Sequence, residues 1–330
     1  GSTEKNLKEL VSIVSPENSR RFLLVTDDRH PEDLIAEGHM DFLVRRAIEE
    51  GIEPVVAVQM ATINAATYFG LSGIGAVAPG YRADFAVLDD LEKVTVSRVF
   101  KGGRLVAEGG EALPFPPPPS ASAGQDTVIV DDRSLTHLPV KAEGARMKVI
   151  GIVPGQIVTE KLVVEPHVEG GMAVSDPERD ILKLVVVERH HASGNIGLGF
   201  VKGMGLKGGA IASSVAHDSH NIIAAGADDS DIRAAVIEIE RLGGGAVVVD
   251  GGRVLAALPF PVAGLMSERP VGEVAAGARE VIGAARNLGC ALDDPLTTLS
   301  FLALPVVPEL KLTDKGLVDV GEFRLVGLFE

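Results

Sequence analysis

What this sequence has little of narrows it first. There is one cysteine, Cys290, in 330 residues, so no disulfide can close within the chain. No run of about 18 apolar residues and no signal-peptide pattern occurs, so the sequence offers no membrane-spanning helix or secretion leader and reads as cytoplasmic. Basic residues are in deficit, with 31 Lys and Arg against 46 Asp and Glu for a formal charge of −15. That balance disfavours nucleic acid and anionic membrane as partners. No internal repeat is visible. The glycine-spaced segment Gly197–Gly203 lacks the Gly-Lys-Ser/Thr ending of a phosphate-binding loop, which removes the nucleotide-loop reading.

What is present is a 46% hydrophobic chain long enough for two or three domains around real cores. Phe22-Leu23-Leu24-Val25 predicts a short buried strand that delivers Thr26-Asp27-Asp28 at its C-terminal end. Pro31 opens an expected helix that Gly51 closes. Pro54 opens a second, with Val55, Val58, Thr62, Ala65 and Phe69 on one face and Gly70 at its end. From Gly73 to about Gly110 short β-type runs take over, at 84–88, 95–100 and 104–106. A polyproline stretch, Pro114–Pro119, then runs into the flexible 120–124 and predicts a domain boundary. Beyond it, strands near 183–188 and 246–250 alternate with helices over 231–242, capped by Asp229 or Ser230, and over 272–288. The turn Asp250-Gly251-Gly252-Arg253 joins two of those strands. The expected domains are residues 1–72, 73–119 and 120–330, the last an α+β layer.

Two polar clusters carry the candidate chemistry. A carboxylate at the end of a barrel strand faces a catalytic mouth, where it can bind a metal and accept the proton of an activated water. Asp27 and Asp28 are placed for that, although Asp28 could equally cap the helix beginning at Pro31. His217-Asp218-Ser219-His220-Asn221 lies between two apolar stretches and forms a tight polar loop. It could bind a metal or read the nitrogens of a purine, or it could be a turn network bonded to itself. His190-His191 ends a strong strand and is either near the same pocket or in solvent. His39 reads as a packing residue of the first helix.

Four stretches together resemble the amidohydrolase superfamily: Thr26-Asp27-Asp28, Ala36–Asp41, Ala61–Ala66 and Gly75–Asp84. They are similar to its last barrel strand, the two following helices and the returning β-domain. The segments 203–210 and 213–223 resemble the C-terminal domain of bacterial adenine deaminases. The resemblance covers the chain after about Arg20. It implies the end of an amidohydrolase TIM barrel, a small β-domain and a C-terminal α+β domain. It also implies hydrolytic deamination of adenine to hypoxanthine and ammonia by a water activated on a divalent metal (Mn, Fe or Zn). By the same resemblance Asp27 is the last metal ligand and proton acceptor, Asp28 stands by the substrate, and His217, Asp218, His220 and Asn221 contact it. A homo-oligomer is expected.

The His-x-His pair of such a metal site is not in this sequence, and a barrel takes roughly 250 residues. The chain therefore reads as part of a longer enzyme, inactive without its missing N-terminal barrel half or a partner chain. Two alternatives remain at this point. One is another cyclic amidohydrolase, acting on hydantoins or dihydroorotate; the other is a non-catalytic scaffolding piece.

Overall fold

The computed structural model describes Ser2, residues 6–116 and residues 124–330. The expected polyproline stretch beyond Pro116 and the segment up to Ala123 lie outside the described residues. The chain divides into two compact units, residues 1–119 and residues 120–330.

The first unit holds α1 (Leu7–Val11), α2 (Pro31–Ala36), α3 (Met40–Glu49), α4 (Pro54–Ala61) and α5 (Ile63–Tyr68). A four-stranded antiparallel sheet follows: β1 (Phe85–Asp90), β2 (Thr95–Lys101), β3 (Arg104–Glu108) and β4 (Glu111–Ala112). The helix expected from Pro31 to Gly51 is two helices. The break is at Gly38, whose φ of 104° belongs to the glycine-favouring half of backbone space. A Cβ at Gly38 would stand 2.6 Å from the Asp41 carboxylate, and that carboxylate accepts the His39 N–H at 2.8 Å. His39 therefore sits in the break rather than within a helix.

The helix expected after Pro54 is likewise divided, at Thr62, whose hydroxyl donates back to the Val58 carbonyl at 2.6 Å. Its buried face is Ala57, Met60, Asn64 and Ala66, while Val55 and Phe69 are exposed. Phe22–Val25 is extended but belongs to no strand. Its backbone is held from the helical side instead: Leu24 N–H donates to the Met60 carbonyl, and Asn64 Nδ2 donates to the carbonyls of Ser19 and Phe22. Leu24 is buried and Val25 is exposed, the alternation of an extended segment with one covered face.

The strands of the second unit are β5 (Val140–Lys141), β6 (Met147–Ile152), β7 (Thr159–Val164), β8 (His167–Glu169), β9 (Met172–Val174), β10 (Ile181–Val187), β11 (Ile196–Lys202), β12 (Ala210–Ser213), β13 (Ile222–Gly226), β14 (Gly245–Asp250), β15 (Arg253–Pro259), β16 (Leu310–Thr313), β17 (Gly316–Asp319) and β18 (Arg324–Val326). Its helices are α6 (Asp229–Arg241), α7 (Val271–Asn287) and α8 (Pro295–Phe301). Eight strands form the main sheet in the order β15-β14-β12-β13-β10-β11-β6-β7. Period-two alternation sends side chains to two separate cores. Leu182, Leu184, Val186, Ile223 and Val248 pack with Val281 of α7, Leu299 of α8 and Leu310 of β16. Val185, Val187, Ile222 and Val247 pack on the other face with Ile232, Val236 and Ile239 of α6. A sheet covered on both faces reads as continuous apolar runs, which is why β10 carries Leu184-Val185-Val186-Val187.

The cap of α6 is Asp228, one residue before the expected positions, and its side chain accepts the Asp231 N–H. Asp231 is itself buried and accepts the N–H groups of Gly251 at 3.0 Å and Gly252 at 2.7 Å. It thereby ties the turn between β14 and β15 to the helix. Gly197–Gly203 is mostly strand β11 rather than a loop.

Candidate functional site

Register places three connections at one end of the main sheet. Val187 of β10 pairs with Ile196 of β11 and with Ile222 of β13, so the turn 188–195 and the loop 214–221 emerge side by side. Ser213 pairs with Ala246, and Gly245 with Pro259, which brings the segment after β15 to the same rim.

Two charged residues that the sequence motifs do not include organise this rim. Glu188 is buried, and its carboxylate accepts four hydrogen bonds: from the N–H groups of His190 (2.5 Å), His191 (2.9 Å) and Ser193 (2.9 Å), and from the Ser193 hydroxyl (2.8 Å). Burial acts to raise its pKa, but the donors outweigh burial and bring it down to about 2. Arg189 is 1% exposed. Its guanidinium donates to the carbonyls of His220 (2.6 Å), Ala263 (3.0 Å) and Thr127 (3.4 Å). Burial lowers the Arg189 pKa while the Glu188 charge raises it. Both residues could have been suspected from the sequence, because a Glu-Arg pair directly after the apolar run Leu184–Val187 must be satisfied locally or unfold the strand end.

The loop 214–221 holds the predicted residues. His217 N–H donates to the Ser300 carbonyl at 3.2 Å. Its ring packs 4.7 Å from the Phe301 ring and 5.5 Å from the His220 ring, centroid to centroid. His220 has a φ of 52° and donates its N–H to the Ala216 carbonyl at 2.6 Å. Asn221 precedes β13, and alternation with Ile223 and Ala225 sends it to the α7–α8 face. His217 is thus set against the C-terminal turn of α8, with the His220 ring beside it and Asn221 following on that face of the sheet. Asp218 is not part of that group, since its side chain is 80% exposed. His190, itself exposed, joins from the neighbouring turn through Nε2, which is 2.8 Å from the Ser219 carbonyl, and His191 is exposed too.

Three buried polar atoms of this loop and of α8 have no hydrogen-bond partner among the described residues: His220 Nδ1, Asn221 Oδ1 and Ser300 Oγ. An unpaired buried polar atom costs about 1–3 kcal/mol, so each of the three calls for a partner. The His220 pKa is lowered by burial first, then by the nearby His217 and Arg189, against an opposing pull from Asp218. The ring is therefore neutral at pH 7, with one nitrogen to donate and one to accept. A neutral imidazole, an amide oxygen and a hydroxyl are a donor–acceptor set suited to the edge of an uncharged heterocycle.

In the first unit, Asp27 is exposed with a φ of 53°. Among the described residues no hydrogen bond or ion pair engages its carboxylate. Asp28 is half-buried, and its carbonyl accepts the Ser2 N–H at 2.7 Å. It is not the cap of α2: that position belongs to His30, without a side-chain cap bond. A hydrolytic zinc-type site takes three or more protein ligands. Among the described residues no group of three His, Cys, Asp or Glu is gathered closely enough to hold an ion. Asp27 is one available ligand, and the described residues do not complete a metal site. No described helix is long and apolar enough to cross a membrane.

Comparison with known proteins gives matches in both units. Residues 156–324 match the family described as adenine deaminase C-terminal domain, and residues 10–106 match the amidohydrolase family. A protein of Desulfatibacillum aliphaticivorans named adenine deaminase is 48% identical over 332 aligned residues, which cover 100% of this chain and 58% of that protein. One of the same name from Oleidesulfovibrio alaskensis is 50% identical, covering 100% of this chain and 57% of that protein. The chain thus spans little more than half the length of the curated relatives it matches. Among solved structures, phenylurea hydrolase B matches 34% of the chain at 27% identity, with a TM-score of 0.25.

Proposed function

Because the chain belongs to the adenine deaminase family through its C-terminal domain, we propose that it forms part of an enzyme that hydrolyses adenine to hypoxanthine and ammonia with a divalent metal (Mn, Fe or Zn). The single observation that carries this reading is the presence, in one polypeptide, of an amidohydrolase match over 10–106 and an adenine deaminase C-terminal match over 156–324. An amidohydrolase match alone would serve hydantoins or dihydroorotate equally well. The second match supports adenine.

Asp27 takes the role of metal ligand and proton acceptor, and Asp28 stands near the substrate. The unpaired Asp27 carboxylate supports this, because nothing among the described residues competes for it. The remaining ligands come from residues outside these 330 positions, so the chain alone turns over no adenine. In the second unit, His220 and Asn221 read the purine through their unpaired polar atoms, His217 contacts it through its ring, and Asp218 stands at the solvent side of the same loop.

The test is the complete enzyme with Asp27→Asn. Turnover should fall to background and bound metal should decrease, while the circular dichroism spectrum stays unchanged. Near-normal turnover would remove Asp27 from the chemistry. In the same enzyme Asn221→Ala should raise the KM for adenine with the fold retained. An unchanged KM would return the loop to a structural role.

A further inference from the structure

Lys311 lies on β16, and its side chain is fully buried. Leu310 and Leu312, its neighbours, face the main core with α7 and α8, so alternation turns Lys311 the opposite way. There its ammonium donates to two backbone carbonyls, Ile157 at 2.7 Å and Phe301 at 3.0 Å. No carboxylate among the described residues pairs with it. A lysine buried on carbonyls alone is a poor stability element, because desolvation is repaid by neutral acceptors only. Lys311 also lines a cavity of about 10 Å³, the size of one water molecule.

The two carbonyls belong to different parts of the unit. Ile157 is in the connection between β6 and β7, and Phe301 is the last residue of α8. Phe301 is also the residue whose ring packs against His217, and the preceding carbonyl, of Ser300, accepts the His217 N–H. The next residue, Leu302, is tied to the same strand by the Leu312 N–H at 3.0 Å. One bond therefore fixes the helix end to β16. The ammonium of Lys311 fixes the turn just before it, the one that touches the loop.

We propose that Lys311 is a positioning residue for the loop 217–221: by clamping the Phe301 carbonyl to the β6–β7 connection it sets where Phe301 and Ser300 hold His217. The consequence for loop geometry stands on distances alone. Its bearing on adenine rests on the reading of that loop as a purine contact. Deprotonating the amine leaves a weaker donor and slackens the clamp. Burial lowers the Lys311 pKa to about 8, so the slackening falls within reach of experiment. Every other residue lining the cavity is non-ionisable: Ile152, Gln156, Ile157, Val158, Thr159, Thr298, Phe301 and Leu302. On the adjoining strands Lys161 is bonded to Asp319 at 2.7 Å, and its N–H to Glu309 at 3.1 Å, a separate set. Around the loop stand Asp218, His220, Arg189 and His190.

The experiment is a pH titration of the histidine ring nitrogens in the ¹⁵N-labelled 330-residue chain. The His217 signals should show, beyond the imidazole's own titration, an inflection near pH 8 that coincides with the titration of the Lys311 amine. Lys311→Met fills the stem volume and keeps every ionisable group around the loop, so an inflection lost in that variant belongs to Lys311. If the wild-type His217 signals pass through this range without an inflection, or if Lys311→Met retains it, the proposal is overturned. Should Lys311→Met not fold, coincidence of the His217 inflection with the directly observed Lys311 titration decides. Addition of adenine to the same sample reads the ligand separately. Its failure to shift the loop signals would count against the purine reading and leave the Lys311 result standing.

Discussion

The carboxylate of Glu188 is the most heavily bonded group at the rim, and replacing it with glutamine isolates its charge. Glutamine keeps the shape and one acceptor oxygen but turns an NH₂ toward donors that the second oxygen had satisfied. The pKa is brought from the ordinary glutamate value of 4.5 to about 2 in the fold. At about 1.4 kcal/mol per unit, the shift corresponds to roughly 3 kcal/mol of stability at pH 7. The sign follows from the depressed pKa: the contribution is present above the unfolded value and is lost as pH falls toward the folded one. Of that amount roughly 2 kcal/mol should be gone by pH 3, where the unfolded carboxyl is mostly protonated and the folded one is not. Because the chain has no tryptophan, urea unfolding is best followed by far-ultraviolet circular dichroism. The transition of residues 120–330 is the one to read. Glu188→Gln should be destabilised by about 3 kcal/mol at pH 7 and by distinctly less at pH 3. A penalty under about 1 kcal/mol, or one equal at the two pH values, would refute the view that ionisation of Glu188 holds the turn 188–195.

Further outcomes follow from the same packing. Gly264→Ala would put a Cβ 2.8 Å from Arg189 Nη1 at a φ of 72°; urea midpoints should show a loss of about 2 kcal/mol or more. Asp231→Ala frees the N–H groups of Gly251 and Gly252 and should cost about 1–3 kcal/mol, with faster hydrogen exchange confined to that turn. The depressed His220 pKa means that stability it supplies is present above the usual imidazole value of 6.5 and lost as pH falls. His220→Gln should therefore flatten the decline in thermal midpoint between about pH 7 and pH 5.

Much of the second unit was legible because local and global signals agree there. The apolar run of β10, the Asp-Gly-Gly-Arg turn and the glycine stop after α6 all appear where the periodicity puts them, and the polar loop 217–221 does join two strands. Phe22–Val25 was read as a buried strand, but it pairs with no strand and leaves Val25 exposed, since an apolar run does not say which strand it will meet. The helix break at Gly38 was hidden because the expected helix ran through it, and the bond from the His39 N–H to Asp41 that marks the new start shows only in the fold. At the site, the motif residues could be picked out, yet Phe301, on which His217 packs, lies about 80 positions away and carries no chemical signature. Lys311 belongs to no motif in the sequence. Only the fold reveals that this face is covered, and that the charge is answered by carbonyls alone.

Arg189 has a consequence for how such a rim can change. A guanidinium is a flat plate whose N–H directions are rigid, and here one plate holds the backbone at Thr127, His220 and Ala263. Shifting any one of those segments tilts the plate and moves the other two, so insertions near 127 or 263 will be felt at His220 without touching it. Divergence of ligand preference is then expected through side chains hung on a fixed frame. A change of frame would require this arginine to be replaced first.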